Sequence, residues 1–542
     1  MKKALALVLT LVLLMSFTAI HAVAEANEDF TIAYNGVVTL NPLMSQSSND
    51  HNIFYLTQLQ LVRYYGGEVQ LDGAESYEMS EDGTVYTFHL RDGLCYSDGT
   101  PLTAADFEYT MELILDPENG SPAAGSWYAI KNAEAYCTGA EGLSWADVGV
   151  KALDEKTIEF TLEYPLSTFD KTIACKHIYP LNREFVEAVG QDKIGSSFDT
   201  MMCSGPYVMT AWVLESSMEL VKNENYWDAA NSFPVRNIHL LEVADPNTEV
   251  AMFENGEVDA IEQISAQYYD YLKDYEYREA GGGFMFLWMN QNGTSEEAQK
   301  VMSNVNFRQA LSYGFNREAT CNAVNSATIP ANRLVDPSFA GLNGDSFVNE
   351  YPIETYPVQG DTAKAQEYLA KAMEELGYTD VSQFPTLSMV TWDATEQKLL
   401  CETIIDQWKQ NLGLNCVQLN QYVIGTAIGS FFELTYDIFV ITWETDVLPT
   451  DIMESMMTGG ECNAGIWSNP EFDALVTEAV AELDPVKKAE LTQQAEQIFM
   501  NDAAIIPIYL EGNIHAVQSY VSGYQVGASG AGFEFNNLTV DK

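Results

Sequence analysis

The sequence predicts an α/β protein of two or more closely associated lobes, and three observations predict it. Strand-like alternation dominates the first part of the chain. Helices alternating with strands dominate the second. The 542 residues exceed what one hydrophobic core organises. Composition agrees, since 47% hydrophobic and 12% aromatic residues are enough for large buried cores. No internal repeat, low-complexity tract or long linker interrupts the chain. The lobes are therefore expected to wrap together rather than hang as separate beads.

The opening residues read as an export signal. Lys2 and Lys3 precede an apolar run from Ala4 to Leu14, extended to Ile20, and Ala22-Val23-Ala24 supplies a small-x-small cleavage pattern. Residues 1–24 are thus expected to form a secretory signal peptide. The run is short for a span of about 20 residues, and no cysteine follows it that could carry a lipid. No later segment is long and apolar enough to cross a bilayer. The expected location is the periplasmic space or the extracellular face of the cell membrane.

Each element then follows from its period. In Thr84–Arg91, Tyr86, Phe88 and Leu90 alternate with Thr87, His89 and Arg91, the signature of a half-buried strand. Val150–Glu163 repeats the pattern around an Asp154-Glu155 turn with Ile158, Phe160 and Leu162 on one face, predicting a hairpin. Asp361 caps a helix carrying Leu369, Met373 and Leu376 on one stripe, and Gly377 ends it. A strand at Leu387–Trp392, a helix with Leu400, Ile404, Ile405 and Trp408, and a strand at Leu414–Leu419 make a βαβ unit, hence a parallel sheet. Asp484-Pro485 opens a last helix with Leu491, Ala495, Ile498 and Phe499 inward, and Ile505–Leu510 reads as a buried strand.

Charge narrows the partners. Seventy-eight acidic against 26 basic residues give a formal charge of −52, so nucleic acid and anionic membrane surfaces are repelled. Solubility accounts for a charge spread along the whole chain; a preference for cationic solutes is the sharper alternative. The eight cysteines (Cys95, Cys137, Cys175, Cys203, Cys321, Cys401, Cys416 and Cys462) include no C-x-x-C pair, and their spacing reveals no disulfide pairing. Export would permit disulfides.

A search for chemistry finds no compact motif. His51, His89, His177, His239 and His515 are far apart, without an H-E-x-x-H pair. There is no G-x-S-x-G elbow and no Gly-Lys dipeptide for a phosphate loop. Gly281-Gly282-Gly283 lacks dinucleotide spacing and suits a crossover between lobes. Carboxylates are abundant enough to hide a glycosidase-like pair, so an exported hydrolase stays open as a third reading. No cofactor, metal ligand set or catalytic residue is expected.

Ordered motifs carry more information. Asp82–Phe107 reads D-G-T-V-Y-T-F-H-L-R-D-G-L-C-Y-S-D-G-T-P-L-T-A-A-D-F. Gly149-Val150-Lys151-Ala152-Leu153-Asp154, Ser204-Gly205-Pro206-Tyr207 with Trp212, and Asn223-Glu224-Asn225-Tyr226-Trp227-Asp228 come next. Gly256-Glu257-Val258-Asp259 follows, then Asn304-Val305 with Phe307-Arg308-Gln309-Ala310, Asn316-Arg317, and Ile506-Pro507-Ile508-Tyr509. In this order they resemble the oligopeptide/dipeptide/nickel-binding class of ABC-transporter extracellular solute-binding proteins, family 5. The resemblance runs from about Phe30 to the end.

That resemblance implies a two-lobed, periplasmic-binding-protein-like fold with an additional inserted domain. Lobe I would comprise 25–57, 180–284 and 511–542, the inserted domain 58–179, and lobe II 285–510. It implies a monomeric, non-enzymatic component that captures di- or oligopeptides in a closing cleft and delivers them to permease subunits with their ATPases. The same fold binding an oligosaccharide, nickel chelate or opine is the alternative. Phe439–Asp446 resembles the family's cleft segment, so Asp446 would meet a peptide α-ammonium, with Trp443, Glu444 and Thr445 beside it. Gln46, Ser47 and Ser48 would offer backbone contacts, and Tyr422 would line the cavity. Phe431 and Val440 stand where some oligopeptide binders place basic residues for a ligand carboxylate.

Overall fold

The computed structural model describes residues 29–45, 47–65, 68–176, 178–278, 283–324, 328–444, 448–460, 463, 466–510, 514–527 and 532–542. The expected signal segment 1–24, Cys462, His177, Gly281 and Gly282 lie outside these residues.

Among the described residues two large sheets organise the chain. The first has seven strands in the order Glu276–Arg278, Ile514–Val517, Ala260–Ile261, Asp29–Tyr34, Asn237–Glu242, Ser217–Lys222 and Tyr207–Val213. Its centre is parallel: Asp29–Tyr34 runs in register with Asn237–Glu242 on one side and Ala260–Ile261 on the other. Alternation along the central strand splits its burial. Phe30, Ile32 and Tyr34 join the large core shared with residues 40–240, while Ala33 joins a smaller core with Val250, Phe253 and Ile261.

The second sheet has six strands in the order Ile329–Pro330, Ile505–Leu510, Gly283–Met289, Ile438–Glu444, Leu387–Trp392 and Val417–Tyr422. The last three run parallel, and the helix Thr395–Leu412 joins Leu387–Trp392 to Val417–Tyr422 as the predicted βαβ unit. The strand Gly283–Met289 is buried at every position, as expected of a strand covered on both faces. Ile505–Leu510 is likewise buried throughout.

A third sheet of four strands, Ala74–Met79, Val85–Leu90, Thr157–Thr161 and Val150–Asp154, contains both strand patterns read from the first part of the chain. Tyr86, Phe88 and Leu90 point to the core, as do Ile158, Phe160 and Leu162. Burying each such side chain contributes about 1.5–3 kcal/mol. The hairpin pairs Val150 with Phe160 and Ala152 with Ile158.

Helix ends also follow the sequence. The Asp361 carboxylate accepts from the Lys364 N–H at 2.9 Å, and Gly377 turns left-handed at φ +75 to end Thr362–Leu376. Asp484 accepts from the Val486 and Lys487 amides ahead of Pro485–Asp502. One boundary differs: the strand expected at Leu414–Leu419 is Val417–Tyr422. Gly413 ends the preceding helix at φ +71, and Leu414 drops into the core before pairing with Leu387–Trp392 begins.

Among the described residues no disulfide joins two cysteines, no cluster of His, Cys, Asp and Glu has metal-ligand geometry, and no helix is long and apolar enough to cross a membrane.

Candidate functional site

Strand direction decides where a site forms. In the first sheet, the parallel strands end at Tyr34, Glu242 and Ile261, all on one edge. In the second, Trp392, Tyr422 and Glu444 end the parallel strands on one edge, where antiparallel pairing also brings Gly283 and Leu510. Ligand crevices form beyond such carboxyl ends, because there the loops diverge and leave backbone and side-chain groups unengaged.

A cavity of about 490 Å³ lies between these two edges. From the first sheet it takes Asn35, Val243, Ala244, Gln263, Ile264, Ser265 and Ala266, each just past a strand end, with Pro246 and Glu249 of the helix Pro246–Glu254 and Tyr269. From the second it takes Thr328, Tyr509, and Glu396 and Gln397 in the first turn of Thr395–Leu412. The size is within the range that holds a small ligand, about 300–1,000 Å³.

Hydrogen bonds fix the first wall. The Asn35 side chain donates to Gln263 Oε1 at 3.1 Å, and its backbone N–H donates to Glu262 Oε2 at 3.1 Å. The other Glu262 oxygen accepts from Asn52 at 2.8 Å, so the helix Ser48–Thr57 is tied to the same edge. Tyr34 donates from its hydroxyl to the Asn49 carbonyl. Burial, with Glu262, Asp50 and Glu242 nearby, holds the Tyr34 hydroxyl well above its ordinary pKa. Gly36 is required beside them: its φ is +80, and a Cβ would stand 2.7 Å from the Glu242 carboxylate.

The loop between this edge and the helix is pinned by one acid. Fully buried Asp50 accepts from the Val38 N–H at 2.6 Å, from the Thr39 N–H, and from the Ser45 hydroxyl at 2.8 Å. Burial raises its carboxyl pKa even against those bonds. Ser47 is the N-cap of the helix and Ser48 its exposed first residue.

The predicted site residues fall as follows. Tyr422 and Trp443 sit near the carboxyl ends of two strands of the second sheet that Leu387–Trp392 separates, Tyr422 two-fifths exposed and the Trp443 ring 6.2 Å from that of Trp288. Neither they nor Ser47 and Ser48 are among the residues lining the cavity. Glu444 closes its strand, pairing with Gly283. Gln46, Thr445 and Asp446 lie outside the described residues. Phe431 and Val440 are core residues: Phe431 packs its ring on Trp288, Tyr436 and Phe439, and Val440 pairs with Leu287. Neither is among the residues lining the cavity.

Sequence reasoning missed Asn35, Gln263, Ser265, Glu249, Glu396 and Gln397. A usable signal existed for Glu249 alone, which shares the inward stripe of its helix with Val250 and Phe253.

The part of the chain that carries the third sheet also touches the far end of the chain away from the cavity. Ser167 donates to the Glu482 carbonyl at 3.2 Å, Leu483 approaches Gly83, and Leu448 packs on the core of the first sheet. Two α/β bodies meeting around a polar cavity at facing strand ends define a solute trap, in which closure encloses what enters.

Comparison with known proteins specifies the family. Residues 68–464 match the model of bacterial extracellular solute-binding proteins, family 5, and the chain belongs to that family, whose members bind solutes and are not enzymes. It is 31% identical over 480 residues to the oligopeptide-binding protein OppA of Bacillus subtilis (strain 168), covering 87% of this chain and 85% of that protein. The dipeptide-binding protein DppE of the same organism is 29% identical over 456 residues, covering 83% and 80%. The substrate-binding domain of an oligopeptide ABC transporter from Bacillus anthracis str. Ames superposes with a TM-score of 0.73 at 26% identity, covering 95% of this chain and 99% of that one.

Proposed function

We propose that this chain is exported by residues 1–24 and captures di- or oligopeptides outside the cytoplasm for an ABC-transporter permease, acting as a monomer without a lipid anchor. The observation that carries the reading is the cavity of about 490 Å³ between facing carboxyl edges of two sheets. The relatives named for oligopeptide and dipeptide binding support the ligand class.

In this reading lobe I is 25–57, 180–284 and 511–542, the inserted domain 58–179, and lobe II 285–510. Asp446 pairs with the ligand α-ammonium, a charge-assisted contact that a desolvated carboxylate needs. Trp443, Glu444, Thr445 and Tyr422 surround it, and Gln46, Ser47 and Ser48 supply backbone groups to an extended peptide. Ligand stabilises the closed state by binding it more tightly than the open one. The permease then meets polar surface of both lobes, which only closure presents together.

Native mass spectrometry of the protein purified from its own cells tests this. A mixed pool of co-purified peptides is expected. Sugars or a metal chelate in their place would overturn the peptide assignment.

A further inference from the structure

The helix Pro246–Glu254 packs Val250 and Phe253 against Ala33, Val258 and Ile261. Glu249 lies on that same stripe and is only 8% exposed, yet it borders the interlobe cavity. Among the described residues no hydrogen bond or ion pair reaches its carboxylate. It does not serve as a cap, because Asp245 already accepts from the Thr248 N–H at 2.8 Å. An acid kept largely from water without a partner is costly. Burial alone pushes the Glu249 carboxyl up to about 7.

The rest of the lining offers it no cation. Lys, Arg and His are absent from the described residues that border the cavity, and Glu396 adds a second acid from the other lobe. The amides Asn35 and Gln263 are bonded to each other, and the Gln397 amide oxygen accepts from Thr391. The missing partner must therefore arrive with the ligand.

We propose that the interlobe cavity selects peptides bearing a positively charged side chain, lysine or arginine, with the Glu249 carboxylate as its counter-ion. This rests on the peptide-capture reading and names the substrate class within it. An uncharged side chain leaves Glu249 unpaired on closure, and an acidic one is repelled by Glu249 and Glu396 together.

The charged and titratable groups on and around the helix of Glu249 include its own Asp245 and Glu254, then Glu242, Asp259, Glu262, Tyr268, Tyr269, Tyr271, Lys273, Tyr275 and His515 from its own lobe, with Glu396 and Tyr509 from the other. A variant at Glu249 itself separates its contribution from theirs.

The test is calorimetric titration with Lys-Ala-Ala, Ala-Lys-Ala and Ala-Ala-Lys, each against its Met and Glu counterparts. At pH 8 at least one lysine peptide binds ten-fold or more tighter than its Met counterpart, and the Glu peptide binds weakest. In Glu249→Gln that lysine-to-methionine ratio falls toward one. In the unaltered protein, the ratio itself shrinks between pH 8 and pH 5.5 as Glu249 takes up its proton, a readout independent of how the variant folds. Equal affinities for Lys and Met peptides, or a preference retained in Glu249→Gln, would overturn the inference while leaving peptide capture intact. No binding of any tripeptide would overturn the peptide reading and this inference with it.

Discussion

Asp72 accepts a hydrogen bond from the Tyr226 hydroxyl at 2.6 Å across 154 positions of sequence, and the same carboxylate oxygen accepts from the Trp227 indole at 2.8 Å. Its other oxygen binds Arg63 Nε at 2.5 Å and the Gln60 N–H at 3.0 Å. Arg63 continues to the carbonyls of Tyr55 and Gln58. One buried carboxylate thus joins the end of helix Ser48–Thr57, the hairpin after it and the Asn223–Asp228 motif.

Removing that hub leaves a buried guanidinium uncompensated. Asp72→Ala is expected to cost about 3–5 kcal/mol, whereas Tyr226→Phe, which removes one bond, costs about 1 kcal/mol. Scanning calorimetry of the two variants checks this. Equal shifts in the affected transition would show that Asp72 is not a hub.

Arg308, in the Phe307–Ala310 motif, serves the other lobe. Its guanidinium donates to the Asp502 carbonyl at 2.7 Å, to Ala503, and to Met302 at 2.7 Å, while Gln309 holds the Met500 and Asn501 carbonyls. Together they satisfy the carboxyl end of helix Pro485–Asp502, which leads into the buried strand Ile505–Leu510. Arg308→Met should destabilise by about 3 kcal/mol, and Arg308→Lys should recover less than half, because one ammonium cannot replace a planar fork. Urea unfolding followed by intrinsic fluorescence gives both values. Full recovery by lysine would mean that charge alone is needed.

These two clusters show what the sequence made legible. Motifs such as Tyr226-Trp227 and Arg308-Gln309 were readable as a family pattern, but their work is structural, holding segments together, and none of these residues lines the cavity. Periodicity located the strand with Tyr86, Phe88 and Leu90 and the helix between Asp361 and Gly377, because burial and capping act over a few neighbouring residues. The cavity residues escaped because topology, not spacing, assembles them. Asn35, Gln263 and Glu396 each stand alone just past a strand end, and only the facing of two sheet edges brings them to one space. Leu414 misled for a local reason: an apolar residue after a glycine cap anchors the chain in the core before the strand starts.

The peptide reading makes a demand on Asp446. If its carboxylate meets a ligand ammonium in a closed cleft, Asp446→Ala loses about 2–4 kcal/mol of peptide binding, and Asp446→Asn loses nearly as much because the charge is gone. The melting temperature without ligand should be unchanged. Titration of each variant with a peptide recovered from the native protein supplies the numbers. Undiminished affinity would remove Asp446 from the site.

Glu249 also leaves a mark on the stability of the protein without ligand. Its carboxyl is raised from an ordinary 4.5 to about 7 by burial, so the folded state holds its proton more tightly than the unfolded chain does. A raised acid contributes stability that is fully present below pH 4.5 and is lost as pH rises through 7. The unaltered protein should therefore lose stability relative to Glu249→Gln across that window, by about 1–3 kcal/mol at pH 8. Other buried acids, Asp50, Asp106 and Asp336, are raised as well, and taking the difference between the two proteins removes their share. Melting temperatures of both proteins, measured from pH 4.5 to pH 8 after dialysis to remove ligand, test the sign. Curves that stay parallel would show that Glu249 ionises without cost, and a saturating lysine peptide should bring the diverging curves back together only if the bound cation restores its missing partner.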